Sequence, residues 1–543
     1  MENKDRKAKK DLKKVRTQDF FFKLKNAWPL SKVSGRIFLI YLLIVLVGGL
    51  FLSIPGFVKS DKFQWDFITA VFTAVSAFSD TGITISNAAQ DYTLLGQIVL
   101  LILIEMGGIG VLTIKIVIFI IINKKISLDD TIIAQSERGG SVKSSTIEMI
   151  KDGFVFISFV QIISAAILFF LFFYLKPGEF SDNMALIGGE DKTVDLSVVS
   201  PYKNFSQSFW FSIFHSTSAI NNAGFDIVSG NSLQPYNVNN AHHYSIQIVF
   251  LMEWVIGGLG YPTYHDIKKK IKAKNTGEKV RFSLFTKLNF WVYIPLLILG
   301  PLAVYFSEFA HKDTSLIFYN YSYEVDPLTG QAININLLVP KTNTAVIMDV
   351  IFNTTSCRNA GFSTVPMNDF NSSSKLLLST FMFIGSAPSS TAGGIRTTTF
   401  AIIILSTIAL IRNNQHTSAF RKTIPAETVR RSFAVFFISV FIVFMTLFGI
   451  YVDSYSSFTT KVSLQTNDDS VIKLLLLITS AYGTVGMNPF TQNQMLTFGT
   501  LSKLLLLLCM FLGQLGVSNT LLAFIKPSRK TNSKFLDEDV TIG

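Results

Sequence analysis

The sequence predicts an all-α membrane protein in which one unit, made of span, short helix, glycine motif and span, occurs four times around a common axis. Three observations predict it. The apolar residues fall in long blocks rather than at amphipathic spacing, one short motif recurs four times, and charge alternates along the chain with those blocks. Of 543 residues, 49% are hydrophobic and 15% charged, and the mean hydropathy is +0.41. That balance belongs to a polytopic membrane protein.

The repeat is read from four segments aligned on a glycine: VSAFSDTGI (75 to 83), TSAINNAGF (217 to 225), TTSCRNAGF (354 to 362) and TSAYGTVGM (479 to 487). Gly82, Gly224, Gly361 and Gly486 are 142, 137 and 125 residues apart. Long periods of this kind define an architecture before any single motif does. An apolar span precedes each motif (37 to 57, 154 to 175, 292 to 310, 433 to 452) and another follows it (97 to 123, 245 to 265, 376 to 411, 499 to 525). Each span is long enough to cross a hydrocarbon core of about 30 Å. The motif itself ends a shorter apolar stretch, such as 66 to 78 or 471 to 481, which can enter the bilayer and return but cannot cross it. Eight transmembrane spans result. The chain divides into a basic tail (1–35), repeat 1 (36–125), repeat 2 with its preceding linker (126–275), repeat 3 (276–415), repeat 4 (416–526) and a second tail (527–543).

Charge sets the topology. The first 36 residues hold twelve Lys/Arg, and basic residues beside a first span fix it on the cytoplasmic side. The net charge of +12 therefore reads as topology and attraction to anionic membrane lipid, not nucleic-acid binding. The apolar run is too long for a cleaved signal peptide. Basic residues follow every second span: Lys124 and Lys125; Lys268, Lys269, Lys270, Lys272 and Lys274; Arg421, Lys422, Arg430 and Arg431; Lys526, Arg529 and Lys530. Acidic residues gather between first span and short helix: Glu179, Asp182, Glu190, Asp191 and Asp195; Glu324 and Asp326; Asp468 and Asp469. The first set belongs inside and the second outside, with both termini in the cytoplasm of the cell.

Chemistry is constrained as tightly. Cys357 and Cys509 both lie in apolar surroundings, so neither a disulfide framework nor a cysteine metal site is expected. His215, His242 and His243 have no carboxylate or cysteine partners at ligand spacing. A polytopic membrane enzyme would need an assembled nucleophile, base or metal cluster, and the sequence has no GxSxG, HExxH or Cys pair. Irregular backbone at membrane depth is tolerated only where protein or a water-filled path receives it, so four such segments should meet at one axis. Carbonyl oxygens around that axis can replace the hydration shell of a monovalent cation, and glycine lets them point inward because it enters positive φ freely. The short helices aim their negative C-terminal ends at the same place, favouring cations. A single copy could be no more than a helix end with a glycine cap.

The order span, pore helix, filter and span, with NNAGF, RNAGF and GTVGM as filters, resembles the Trk/Ktr/HKT superfamily of potassium transporters over about residues 36 to 526. It is most similar to the bacterial Ktr and Trk membrane subunits. EMGGIG (105 to 110), EWVIGGLG (253 to 260), SSTAGGIRTTTF (389 to 400) and FLGQLG (511 to 516) look like the family's glycine-rich segments. The resemblance implies potassium uptake through one pore, with K+ as the permeating ion and no covalently bound cofactor. The filter would be Asp80, Thr81 and Gly82; Asn222, Ala223 and Gly224; Asn359, Ala360 and Gly361; Thr484, Val485 and Gly486. Glycine in all four filters accompanies potassium in the family, whereas serine at the first marks sodium-selective relatives; position 82 is glycine. A sodium-permeable carrier, or a sodium- or proton-coupled symporter of the same build, is the alternative. With no GxGxxG nucleotide-binding domain in the chain, the resemblance implies a cytosolic ring of nucleotide-binding regulatory subunits and a homodimer of the membrane subunit.

Residues 376 to 411 would reach about 54 Å as one helix, and they contain Gly385, Pro388, Gly393 and Gly394, so the helix should break. In the resembling families the segment is a gating loop, which puts Ser389, Ser390, Thr391, Gly393, Gly394 and Arg396, within residues 386 to 396, in a movable barrier. Arg396 either repels cations or pairs with an acidic wall; otherwise it snorkels toward the cytoplasm beside a static kink. Gln514 stands where relatives usually carry an arginine, which removes a positive charge below the filter. Glu105, Glu253 and Asp80 either draw cations to the path or pair with Arg358, Arg396 or Lys115. Arg358 resembles the family's filter-flanking arginine, expected to brace the loops. Asp66 and Asp349 are expected to cap short helices.

Overall fold

Four long apolar helices set the frame. In the computed structural model, which describes residues 32–59, 67–122, 126, 143–178, 198–230, 232–237, 243–313, 315–325, 332–458 and 469–517, they are α1 (Val33–Leu52), α5 (Lys143–Tyr174), α9 (Leu284–Ala310) and α13 (Ala426–Asp453). Each is long and apolar enough to cross a membrane. Their outer faces are greasy: Phe437, Phe441, Phe444 and Phe448 form a stripe at helical spacing on α13, each more than 60% exposed, as expected of a surface solvated by acyl chains. Outside the described residues lie most of the basic N-terminal tail, the C-terminal tail, Asp66, Lys124, Lys125, His242 and most of the acidic loop positions, from Glu179 to Asp195 and at Asp326 and Asp468.

Behind each long helix comes a short one: α2 (Phe67–Phe78), α6 (Phe205–Ile220), α10 (Asn343–Ser356) and α15 (Ser470–Gly483). Their C-terminal halves are buried by their neighbours, hydroxyl side chains included. Side-chain caps start two of them, with Asn204 accepting from Gln207 N and Thr342 from Ala345 N. The Thr342 cap corrects the expectation for Asp349, which sits inside α10, where its carboxylate is held by Lys341, Asn237 and Thr364 instead of orphan helix N–H groups.

The second apolar helix breaks in the first three units, and here the structure corrects the reading of 97 to 123 and 245 to 265 as uninterrupted spans. α3 (Leu94–Ile109) turns into α4 (Val111–Ile121) through 92°, and α7 (Tyr244–Gly257) into α8 (Tyr261–Thr276) through 93°. The hinges are Gly110 at φ 86° and Gly260 at φ 80°, and a helical ladder cannot pass through a left-handed residue. In the third unit α11 (Ser372–Phe383) stops thirteen residues before α12 (Thr397–Ile411), with Gly394 at φ 75° between them. In the fourth unit α17 (Thr500–Leu515) ends at Gly516 with φ 80°.

Among the described residues, two small hairpins add strand to the helices. β1 (Tyr319–Val325) pairs with β2 (Ala332–Pro340), with an irregularity between Ser322 and Glu324. β3 (Ser418–Ala419) pairs with β4 (Lys422–Thr423) across Phe420 and Arg421, both at positive φ, the backbone of a type I′ turn. Two further short helices lie among the described residues, α14 (Tyr455–Phe458) and α16 (Gln492–Thr497), the latter opened by a capping box between Thr491 and Gln494.

Candidate functional site

The four motif glycines, far apart in sequence, are packed against one another. A methyl group built on Gly82 would stand 2.5 Å from the carbonyl oxygen of Ala223, and one on Gly224 2.8 Å from that of Ala360. One on Gly361 would collide with the Val485 carbonyl and one on Gly486 with the Thr81 carbonyl. The contacts run from the first motif to the second, third and fourth and return to the first. Each glycine therefore faces the main-chain oxygen of the residue before the next glycine. All four have positive φ, between 68° and 109°, so both space and backbone exclude a side chain.

The backbone leading into this ring follows a rule in three units. Thr81 N donates to Ser76 O, Ala223 N to Ser218 O and Val485 N to Ser480 O, while Asp80, Asn222 and Thr484 N donate to Ala77, Ala219 and Ala481 O. This pair of bonds is a Schellman ending. Its left-handed position is occupied not by glycine but by Asp80 (φ 51°), Asn222 (φ 59°) and Thr484 (φ 50°). The third unit departs: Ala360 N bonds to Ser356 O and Asn359 is not left-handed.

Around the ring lie the residues of the break and of the glycine-rich turns. The Thr391 hydroxyl accepts from Asn222 Nδ2 and lies 3.3 Å from Gly257 O; Gly393 N donates to Thr484 Oγ1 at 2.7 Å. Gln514 Nε2 donates to Asp80 Oδ2 at 3.1 Å. Arg396 donates to the carbonyl oxygens of Ala392 and of Gln514, while Ser390 Oγ accepts from Ala392 N and Ser389 is left-handed at φ 63°. The Arg358 guanidinium is buried, gives Nη2 to Gly385 O at 3.1 Å and stands over the Tyr293 ring. Glycine doublets let the walls approach: a methyl on Gly107 would strike Phe78 O, and one on Gly108 the Asn221 amide.

The intramembrane carboxylates have amide and hydroxyl company. Glu105 accepts from Asn221 Nδ2 at 2.9 Å and Gln161 Nε2 at 3.4 Å, amides in place of the basic partners considered from sequence. Glu253 is fully buried, with Ser164 and Ser216 nearby. His215 bridges Phe211 O and Asp226 Oδ1. Among the described residues no group of three His, Cys, Asp or Glu could hold a metal. Sequence reasoning passed over Gln161, which joins Glu105 to Thr217; its signal was the one amide inside the apolar run 154 to 175. It also passed over Asn237, which ties Asp349 to the Thr364 carbonyl.

The chain is also similar to known proteins over nearly its whole length. The chain is 32% identical to "Uncharacterized cation transporter MG322" of Mycoplasma genitalium, over 94% of this chain and 97% of the relative. It is 25% identical to the Ktr system potassium uptake protein D of Bacillus subtilis, over 93% and 96%. Among solved structures, the potassium transporter TrkH from Vibrio parahaemolyticus shares the fold, with a TM-score of 0.57 at 14% identity over 90% of this chain and 84% of that one. The model of the TrkH cation transport protein family matches residues 52–534, and the chain belongs to that family.

Proposed function

We propose that this protein carries potassium into the cell through a channel-like path along the axis of the glycine ring. The observation that carries the reading is the closure of that ring, in which four glycines from one chain each meet the carbonyl of the next motif. Main-chain oxygens of Thr81, Ala223, Ala360 and Val485 then replace the water around a dehydrating cation, whose transfer into a low-dielectric interior is otherwise prohibitive. The C-terminal ends of α2, α6, α10 and α15 add a favourable field. In this reading eight spans arise because each broken second helix counts as one crossing, and both termini lie in the cytoplasm. Residues 386 to 396 form the gate, with Arg396 held by main-chain oxygens beside the path. The membrane subunit works as a homodimer under a cytosolic nucleotide-binding ring, a reading supported by its likeness to a Ktr system potassium uptake protein.

The test is ion flux into proteoliposomes holding the purified protein, with potassium, rubidium and sodium compared. Faster uptake of potassium and rubidium than of sodium is the expected result. Equal sodium uptake would replace potassium selectivity with general cation permeation, and a reversal potential displaced by a proton or sodium gradient would replace the channel with a symporter. Deletion of residues 386 to 396 should raise leak; unchanged flux would reject the gate.

A further inference from the structure

Three side chains or main-chain groups from outside the motifs grip the same position of three different motifs. Asp80, Asn222 and Thr484 are each the left-handed residue two places before the ring glycine, and all are fully buried. Aspartate and asparagine tolerate that backbone poorly compared with glycine, and a β-branched threonine is an outlier there. Each makes a polar bond to a partner beyond its own repeat: Gln514 Nε2 donates to Asp80, Asn222 Nδ2 donates to Thr391 Oγ1, and Gly393 N donates to Thr484 Oγ1. Two of the three partners belong to the 386 to 396 segment, and the third, Gln514, is tied to it through its main-chain oxygen and Arg396. Asn359, the corresponding residue of the third motif, is not left-handed. The grip thus falls only where the backbone is strained.

We propose that the 386 to 396 segment, with Gln514, is a specificity-determining element that clamps the left-handed residues of three motifs and so fixes the positions of the carbonyl oxygens that follow them. The proposal rests on the filter reading above and goes beyond a gate. A barrier alone changes how many ions pass; a clamp on the filter also changes which ions pass. Residues 80, 222 and 484 stand immediately before Thr81, Ala223 and Val485, whose oxygens face the neighbouring glycines. A small rotation at the left-handed residue swings that oxygen directly, and at residues this buried a lost bond costs more than it would at the surface. Thr391 is the node of the clamp, because its hydroxyl lies within reach of Asn222 Nδ2, Ile220 O and Gly257 O together. It is a positioning residue, acting through Asn222.

The experiment compares full-length wild type, Thr391→Val and Thr391→Ser in proteoliposomes, reading potassium and sodium flux separately. Thr391→Val keeps the shape and removes the hydroxyl; the potassium-to-sodium ratio should fall about fivefold, the factor one net hydrogen bond is worth. Thr391→Ser should restore it. Thr484→Val, which cuts the bond from Gly393 N, is run in parallel and should lower the ratio as well, so the question stays answerable if one variant does not purify as a monodisperse protein. Equal loss of both fluxes with an unchanged ratio would overturn the clamp while leaving the filter reading intact. A wild-type ratio near one would overturn both.

Discussion

At the scale of single residues, the ring makes strong demands on very few atoms. Gly361 has φ 75°, and an added methyl would occupy the position of the Val485 carbonyl oxygen. Gly361→Ala should therefore cut potassium flux by about tenfold or more while the protein still purifies, since even ~1.4 kcal/mol of displacement corresponds to a factor of ten; rubidium uptake measures it. Lys341 and Asp349 form a buried pair at 2.8 Å, with 4% and 1% of their side chains exposed. Lys341→Met leaves the carboxylate buried without its counter-charge, with only Asn237 and Thr364 donating to it, at a cost of about 3 kcal/mol, so thermal unfolding in detergent should move to lower temperature. Adding Asp349→Asn should recover much of that loss. Gln514→Arg places a guanidinium beside Asp80 and next to Arg396, and slower potassium flux is expected; equal flux would count against a role for charge there.

Among the elements, what was legible in the sequence had a local cause and what was not had a tertiary one. The four motifs could be read because a ring of glycines needs the same spacing to its flanking apolar blocks each time. The break in 376 to 411 could be read because Gly385, Pro388, Gly393 and Gly394 crowd one stretch too long for the bilayer. The right-angle turns at Gly110 and Gly260 could not, because one glycine in an apolar run is equally compatible with a straight helix. Asp349 misled for a related reason: a carboxylate near a helix start looks like a cap, and only the fold brings Lys341, Asn237 and Thr364 to it. The left-handed residues before the glycines carried little signal, since Asp and Asn take that backbone more readily than other non-glycine residues but are common elsewhere, and a β-branched Thr rarely takes it.

The start of α15 offers a test of its own. Asp469 is its N-cap and pairs with Lys375 of α11 at 3.0 Å and with Lys473 at 3.0 Å. Burial pushes its carboxyl up, but the two lysines outweigh that and hold it below the ordinary carboxylate value. A depressed folded value stabilises the protein above the unfolded carboxylate pKa of about 4 and loses that contribution as pH falls through the folded value. Thermal stability followed below about pH 4 should drop in the wild type more steeply than in Asp469→Asn.

For the molecule as a whole, one chain supplies every member of the ring. If two copies associate, each brings a complete ring. In proteoliposomes made from mixtures of wild type and Gly361→Ala, potassium flux should fall in direct proportion to the fraction of variant chains. A steeper fall, following the square of the wild-type fraction, would place the path between subunits instead.

Closure within a single polypeptide also frees the four corners from one another. An assembly of identical subunits must accept any substitution at all corners simultaneously, whereas here Asn359 has kept an ordinary backbone while Asp80, Asn222 and Thr484 have not. A tandem gene can retune one quadrant at a time, and the lopsided set of staples on three motifs is the kind of irregularity that such inheritance permits.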